Sequence, residues 1–393
     1  MKVIVPLFAA LLLSLAPIGQ AGAGAKQPHA RTASAKAKAG AKGKKPKAAG
    51  KRVSLKSSRV LKSAPAAAVI DYDGERHNFL EWQDVRSFID EMSSQHGFDR
   101  AELESLFAQA RFIDSAVQLV KPAPPGKPKN WQAYRERFIE PIRIAAGVRF
   151  WNENADALAR AEAAYGVPAE VIVGILGVET IYGRDTGKFR VFDTLATLAF
   201  AYPETPNRAS RMAFFRSELS NTLVFAREHK LEPFSLLGSF AGAVGMPQFM
   251  PGNILKYGVD FNQDGQIDLR LSPDDAIGSV ANFLVQHGWK PEYKDSPVTP
   301  AEVSPSRAWE PLLERGLAAT LRPEELRAAG VKVEGALPAE RLYGLVDLQN
   351  GAEATEYWVA NDNFFAITKY NRSYFYAMSV IELGRAVRAS RGG

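Results

Sequence analysis

The chain has 393 residues, 46% of them hydrophobic, enough to bury one large core or two smaller ones. It has no cysteine, which excludes a thiol nucleophile, a disulfide framework and a lipid-modified N-terminal Cys. The formal charge of +6 misleads, because fourteen of the 49 Lys and Arg residues lie in the acid-free segment 1–63; the remainder is acidic, which argues against nucleic-acid binding by the folded part.

Residues 1–25 read as an export signal: Lys2 precedes an almost wholly apolar run over 3–15, and Ala21-Gly22-Ala23 or Ala23-Gly24-Ala25 offers a small-residue cleavage site. The run is shorter than the roughly 20 residues a membrane span needs. Residues 26–63 have few large apolar side chains and self-repelling charge, and are expected to be a disordered basic linker that can contact anionic wall polymer or membrane surface.

Helical patterns dominate 64–393. Trp82, Val85, Phe88, Ile89 and Met92 share a helical face that Gly97 can end, and Asp99 with Glu102 marks the next start. After a Pro-rich break at 122–128, a helix is expected from Trp131 through Phe138, then others through Trp151 and from Ala155 to Tyr165. Further helices are expected at 193–201, 209–228, 274–287 and 373–389. Between 292 and 360 short β-branched or aromatic runs flank Gln349-Asn350-Gly351, which predicts a hairpin inside a small mixed α/β insertion. The expected organisation is a helical subdomain at about 78–150, a core built from 151–291 and 361–393, and an insertion at 292–360.

Three stretches carry chemistry. In Gly177-Val178-Glu179-Thr180, the apolar residues Val171, Ile172, Ile175, Leu176 and Val178 precede Glu179 at helical spacing, so its charged form is disfavoured and it becomes a candidate proton donor. A helix-end Glu paired with Arg184 is the competing reading. In Ser239 to Pro251, Gly242 and Gly245 allow backbone to approach a ligand, while Ser239, Gln248 and Phe249 offer a hydroxyl, an amide and a ring face suited to a sugar. The alternative is a Gly/Pro-rich connector. In Asp260-Phe261-Asn262-Gln263-Asp264-Gly265-Gln266-Ile267-Asp268, oxygen-bearing side chains at positions one, three and five and Gly at six match most of a calcium loop, with Gln266 giving its carbonyl. Position twelve is Leu271, so either Asp275 closes a lengthened loop or this is an Asp/Asn/Gly turn. The five histidines form no metal-ligand spacing, and no phosphate loop or serine-hydrolase elbow is present.

These blocks, with Asp275-Ala276-Ile277-Gly278-Ser279-Val280-Ala281-Asn282 and Ile367-Thr368-Lys369-Tyr370-Asn371-Arg372-Ser373, resemble lytic murein transglycosylases of the B type, in family order from about Leu80 to Leu383. The resemblance implies a mainly α (α+β) fold with a lysozyme-like helical core. It implies a carbon–oxygen lyase that cleaves the β-1,4 MurNAc–GlcNAc bond of peptidoglycan without net hydrolysis, Glu179 serving as acid and then base. It also implies glycan contacts at Ser239, Gln248 and Phe249, and cleft positions at Tyr134, Arg211, Asn371 and Tyr376. The chain departs from the family around Tyr202-Pro203, where Arg211 fits one of two expected arginines, and at Phe283, which stands for a tyrosine. No organic cofactor is expected; a structural Ca²⁺ held by Asp260, Asn262, Asp264, Gln266 and Asp275 is. Peptidoglycan strands are the expected partner, with cell-wall synthesis or divisome proteins as further candidates. The protein is expected to be a soluble, non-lipidated periplasmic monomer. A hydrolytic muramidase and a non-catalytic wall-binding scaffold are the competing functions.

Overall fold

The computed structural model describes residues 78–122 and 128–392. The export signal, the basic linker and the centre of the Pro-rich break lie outside the described residues. The helix expected from Trp82 forms as α1 (Gln83–His96), and Gly97 ends it at φ 66°, where glycine has no steric penalty. Asp99 caps α2 (Arg100–Gln109) by accepting from the Glu102 amide at 2.9 Å, the start the sequence signals. After α3 (Asp114–Leu119), the Trp131 helix is shorter than expected: α4 (Trp131–Arg135) gives way to turns. Pro141 then forces Glu140 out of the helical region, and its carboxylate caps α5 (Pro141–Glu153).

The body continues with α6 (Ala155–Tyr165) and α7 (Ala169–Thr180), then a two-residue strand β1 (Phe189–Arg190), α8 (Val191–Phe200) and α9 (Arg208–Glu228). Next come β2 (Leu237–Gly238), which pairs antiparallel with β1, then α10 (Pro251–Tyr257) and α11 (Pro273–Gln286). The insertion contains β3 (Val298–Val303), α12 (Glu310–Leu313), α13 (Pro323–Ala328), β4 (Val331–Val333), β5 (Gly344–Asn350) and β6 (Glu353–Ala360). Its four strands are antiparallel in the order β4-β3-β6-β5, and β5 and β6 form the expected hairpin. The chain returns to the body through α14 (Asp362–Ile367) and α15 (Tyr374–Arg391).

Strand alternation lets the insertion serve two cores. Leu345 and Val359 join a small cluster with Trp309, Leu321 and Tyr343, while Val346 and Leu348, on the opposite face of β5, join the main helical core. The packing that shapes the site is that of α15 against α7. A Cβ on Gly174 would lie 2.2 Å from the Val380 carbonyl oxygen, and one on Gly384 would lie 2.1 Å from that of Glu170. Two missing side chains therefore let the helix backbones touch. This brings the N-terminal turn of α15 to the C-terminal turn of α7, where Glu179 sits.

Candidate active site

Glu179 is the one residue of the last two turns of α7 that keeps appreciable exposure; its neighbours Leu176, Gly177, Val178 and Thr180 are buried. The helix stops abruptly because Ile181, Tyr182 and Gly183 adopt φ of 52°, 58° and 85°. Left-handed geometry is costly for Ile and Tyr and persists only where surroundings enforce it. Here the Tyr182 ring fills a notch made by Gly147 and Gly177, either of whose Cβ would fall 2.4 Å from its Oη, and stacks on Phe150. Among the described residues Arg184 makes no ion pair, so the helix-end Glu–Arg pairing is not what forms.

Three tyrosines surround the carboxyl. Tyr376 Oη donates to Glu179 Oε1 at 2.6 Å. Tyr370 stacks on Tyr376 at 6.3 Å, and the Glu179 charge acts on Tyr370 and Tyr134 as well. Burial pushes the Glu179 carboxyl up from 4.5 to about 8, and the Tyr376 hydrogen bond, which favours the anion, pulls the other way. The tyrosines respond in kind. Burial and then the Glu179 charge push Tyr134 to about 12 and hold Tyr370 and Tyr376 well above 10, so all three remain donors. Among the described residues no second carboxylate perturbs Glu179. Buried Glu218 is engaged elsewhere, accepting from the Gly252 amide at the start of α10.

The glycine-rich stretch is clamped beside this cluster. Thr180 Oγ1 donates to the Met246 carbonyl at 2.8 Å, and Tyr370 Oη donates to that of Pro247 at 2.6 Å. Gly242 and Gly245 have φ of 85° and 74°, and a Cβ on Gly245 would meet the Leu269 carbonyl oxygen at 2.3 Å. Gln248 is also left-handed, at 52°. Its amide nitrogen donates to the carbonyls of Thr186 and Gly245, while Oε1 is buried without a partner and is free to accept from a ligand.

Two expected contacts are corrected. Phe249 offers no open ring face: it is 1% exposed and packs on Phe283 and Tyr370, because the Val244–Phe249 bridge turns its side chain into the core. The Ser239 hydroxyl is likewise buried and accepts from the Ala241 and Ala243 amides, which makes it a staple of the loop. Arg211 is buried among the rings of Tyr202, Phe214 and Phe215, and among the described residues its guanidinium has no hydrogen-bond partner and no contact with the Glu179 cluster. Asn371 is nearly buried and lines the same pocket as Tyr134. Tyr370, which the sequence places only within a motif, is the member of the cluster that residue-by-residue reading missed.

In the acidic loop, Asp260 Oδ1 and Asn262 Oδ1 both accept from the Asp264 amide at 3.1 Å, so oxygens of positions one and three converge. Asp275 departs from its expected role. It is fully buried; Oδ1 accepts from the Phe261 amide and Oδ2 from the Asp268 amide, both at 2.9 Å, so it laces the two ends of the loop together. Among the described residues no three His, Asp or Glu side chains gather to hold a metal. The donors Asp260, Asn262, Asp264 and the Gln266 carbonyl suit a hard cation, but the closing bidentate carboxylate of a full calcium loop is missing.

A pocket of about 590 Å³ opens at Tyr134 and Asn371. A larger cavity, about 740 Å³, lies at the opposite end of α7 beside Pro168 and Glu170. Two of its arginines are engaged, Arg388 with Glu170 and Arg385 with the Ser296 hydroxyl, and it holds none of the tyrosine cluster. The catalytic candidate is therefore the Glu179 cluster itself, which the smaller opening reaches through Tyr134.

The family model of the transglycosylase SLT domain matches residues 81–385. The chain is 42% identical over 323 residues to membrane-bound lytic murein transglycosylase B of Escherichia coli (strain K12), across 80% of this chain and 85% of that protein. The soluble lytic transglycosylase SltB1 from Pseudomonas aeruginosa has a TM-score of 0.72 at 43% identity, covering 79% of this chain and 100% of that one. An Escherichia coli lytic transglycosylase solved in complex with calcium has a TM-score of 0.72 at 40% identity, covering 81% of this chain and 97% of that one. By sequence along most of its length and by fold, the chain belongs to the lytic murein transglycosylases.

Proposed function

We propose that this enzyme cleaves the β-1,4 bond between N-acetylmuramic acid and N-acetylglucosamine with Glu179 as the sole proton-transfer group, leaving 1,6-anhydro-muramic ends. The observation that carries the reading is a single half-buried carboxyl in an apolar setting, hydrogen-bonded by Tyr376 and near enough to Tyr134 and Tyr370 to act on both, with no second carboxylate acting on it among the described residues. Ordinary glycosidases need two. With one, the second function must come from the substrate.

In the proposed sequence protonated Glu179 gives its proton to the glycosidic oxygen as the C1–O bond breaks, and the muramic acetamido oxygen bonds to C1. Tyr376 then supports the Glu179 anion through its hydrogen bond. The carboxylate removes the proton from the C6 hydroxyl, O6 displaces the acetamido oxygen at C1, and Glu179 is protonated again. No water is consumed, and the intramolecular nucleophile has a high effective concentration. Gln248 Oε1, with Tyr134 and Asn371, is proposed to orient the sugar, while Ser239 acts by holding the loop. Digestion of purified peptidoglycan followed by mass analysis tests this: anhydro ends support it, and reducing ends alone establish a hydrolase.

Calcium in the loop of Asp260, Asn262, Asp264 and Gln266 is part of the proposal, supported by the converging oxygens and by the relative solved with calcium. The proposed site of action is the periplasm, a reading supported by activity on murein, which lies outside the cytoplasm. The Escherichia coli relative is named membrane-bound, whereas among the described residues no single helix here is long and apolar enough to cross a membrane.

A further inference from the structure

The glycine-rich stretch beside Glu179 is held at its start by the Ser239 staple and in its middle by Thr180 and Tyr370, which grip the Met246 and Pro247 carbonyls. Its far end runs through Gln248 and Phe249 into α10, and that helix has no cap of its own. Met250 stands at the N-cap position without a side-chain hydrogen bond, and Pro251 follows it. The Gly252 amide comes next, too early in the helix to find an acceptor within it.

Glu218 of α9 supplies the acceptor from across the helix contact: its Oε2 takes the Gly252 amide at 2.7 Å. The carboxylate is 8% exposed, Asn221 one turn along α9 gives it a second hydrogen bond, and among the described residues the charge that acts on it is that of Lys256 in α10. Glycine is required opposite it. A Cβ at position 252 would lie 2.6 Å from Asn221 Nδ2 and 2.9 Å from Glu218 Oε1. A carboxylate in so dry a place is costly unless it is fully engaged, and the proton-transfer chemistry makes no use of it. What it does hold is the end of the stretch that carries Gln248, whose φ of 52° persists only where its surroundings enforce it.

We propose that Glu218 is a positioning residue for the glycan: by fixing the start of α10 it sets the place of Gln248, four residues earlier, whose unpartnered Oε1 orients the sugar. The assignment rests on the glycan-cleaving reading above. It gives the clamp a pH dependence of definite sign. Burial raises the Glu218 carboxyl above its ordinary 4.5, against the two hydrogen bonds and Lys256, which lower it. The anion, the stronger acceptor, is present above that raised value and is lost as pH falls through it. Glu179 cannot produce the same dependence, because the first step needs its acid form and acid only favours that form. A mechanism with one carboxyl has an alkaline limit alone, and Glu218 adds the acid one.

Glu218→Gln, Glu218→Leu and Gly252→Ala, assayed on peptidoglycan between about pH 7 and pH 4, test this. The amide of Glu218→Gln still accepts from Gly252 and, once the Asn221 amide turns over, keeps both bonds. That variant should stay within about threefold of the parent in kcat/KM near pH 7 and should lose the parent's rise in KM on the acid side. Glu218→Leu and Gly252→Ala should raise KM about tenfold near pH 7 with kcat within about threefold, since Thr180 and Tyr370 still hold the part of the wall beside Glu179. An acid limb unchanged in Glu218→Gln would overturn the proposal. So would a parental KM in the folded fraction of the other two, since a merely structural role lowers Tm and leaves KM alone. The Gly252 amide proton, followed by NMR without substrate, gives a reading independent of turnover: it should titrate over the acid range in the parent and stay flat in Glu218→Gln. A flat parent resonance overturns the clamp, whereas products without anhydro ends count against the reaction assigned to Glu179 and leave the clamp decided by that resonance.

Discussion

At the scale of single residues, the proposed mechanism makes the rate depend on the protonation of Glu179, and the same shift bears on stability. The first step needs the acid form, so kcat/KM should fall as pH rises through about 8. Glu179→Gln should reduce kcat by at least about 10²-fold while glycan binding persists. The sign for stability follows from the same shift. The folded-state value is raised, so the contribution is present below the unfolded value of 4.5 and is lost as pH rises through about 8. Thermal unfolding should therefore show Glu179→Gln gaining on the parent between pH 5 and pH 9, with no such gain near pH 4. Tyr376→Phe removes the one hydrogen bond that favours the anion, so the alkaline limb of the rate profile should move upward while kcat drops about tenfold. A limb that stays in place would show that Tyr376 does not act on this carboxyl. The apolar setting of Glu179 was legible because an acid ending an apolar run carries its own chemical signal. The role of Tyr370 was not, because it exists only once α14 and α15 fold back on α7. Phe249 was misread for a related reason: a glycine-rich setting tells that backbone can come close, not which way a ring turns.

At the scale of elements, the α7–α15 contact joins sequence to catalysis. Gly174 meets the Val380 backbone, which cannot yield as a flexible side chain would. Gly174→Ala should therefore destabilise by about 1–3 kcal/mol and also lower kcat, because separating the helices withdraws Tyr376 from Glu179. Gly97→Ala is the matched comparison. Nothing lies within 4 Å of its Cβ position, so only the cost of φ 66° remains, about 1 kcal/mol, with kcat unchanged. Equal effects of the two on kcat would separate the packing from the chemistry. The helices themselves were readable from period and caps, as α1 and α2 demonstrate. Their approach was not, since Gly174 and Gly384 lie about two hundred positions apart and each alone looks like a weak point in a helix. In the insertion, the β5–β6 hairpin announced itself through Asn350-Gly351. β3 and β4 did not, because their pairing depends on β6 and on each other.

At the scale of the whole molecule, the acidic loop and the catalytic cluster form one connected structure. Asp275 laces the loop, and the Leu269 carbonyl that follows it accepts from the Met246 amide at 2.7 Å; the Met246 carbonyl in turn accepts from Thr180, next to Glu179. Loop order is thereby transmitted to the glycine-rich wall of the cleft. Because Asp275 holds the loop through backbone amides, calcium is expected to add to an already folded region and not to create it. With a dissociation constant of about 10⁻⁴ M, 1 mM calcium would stabilise by about 1.4 kcal/mol, a rise in Tm of roughly 2–4 °C for a domain of this size. That increment should disappear with chelator and in Asp260→Ala or Asp264→Ala, whose midpoints without calcium should fall only slightly, because the Asp264, Gly265 and Gln266 amides these carboxylates accept from are exposed and can turn to water. Asp275→Ala should behave differently, losing stability with or without calcium and losing activity too, because three loop amides lose their acceptor and the support behind Met246 loosens. Calorimetric scans of the four proteins with and without calcium separate the two roles: a Tm indifferent to calcium in the parent would reduce the loop to a turn, while a stable, active Asp275→Ala would break the proposed path from loop to Glu179.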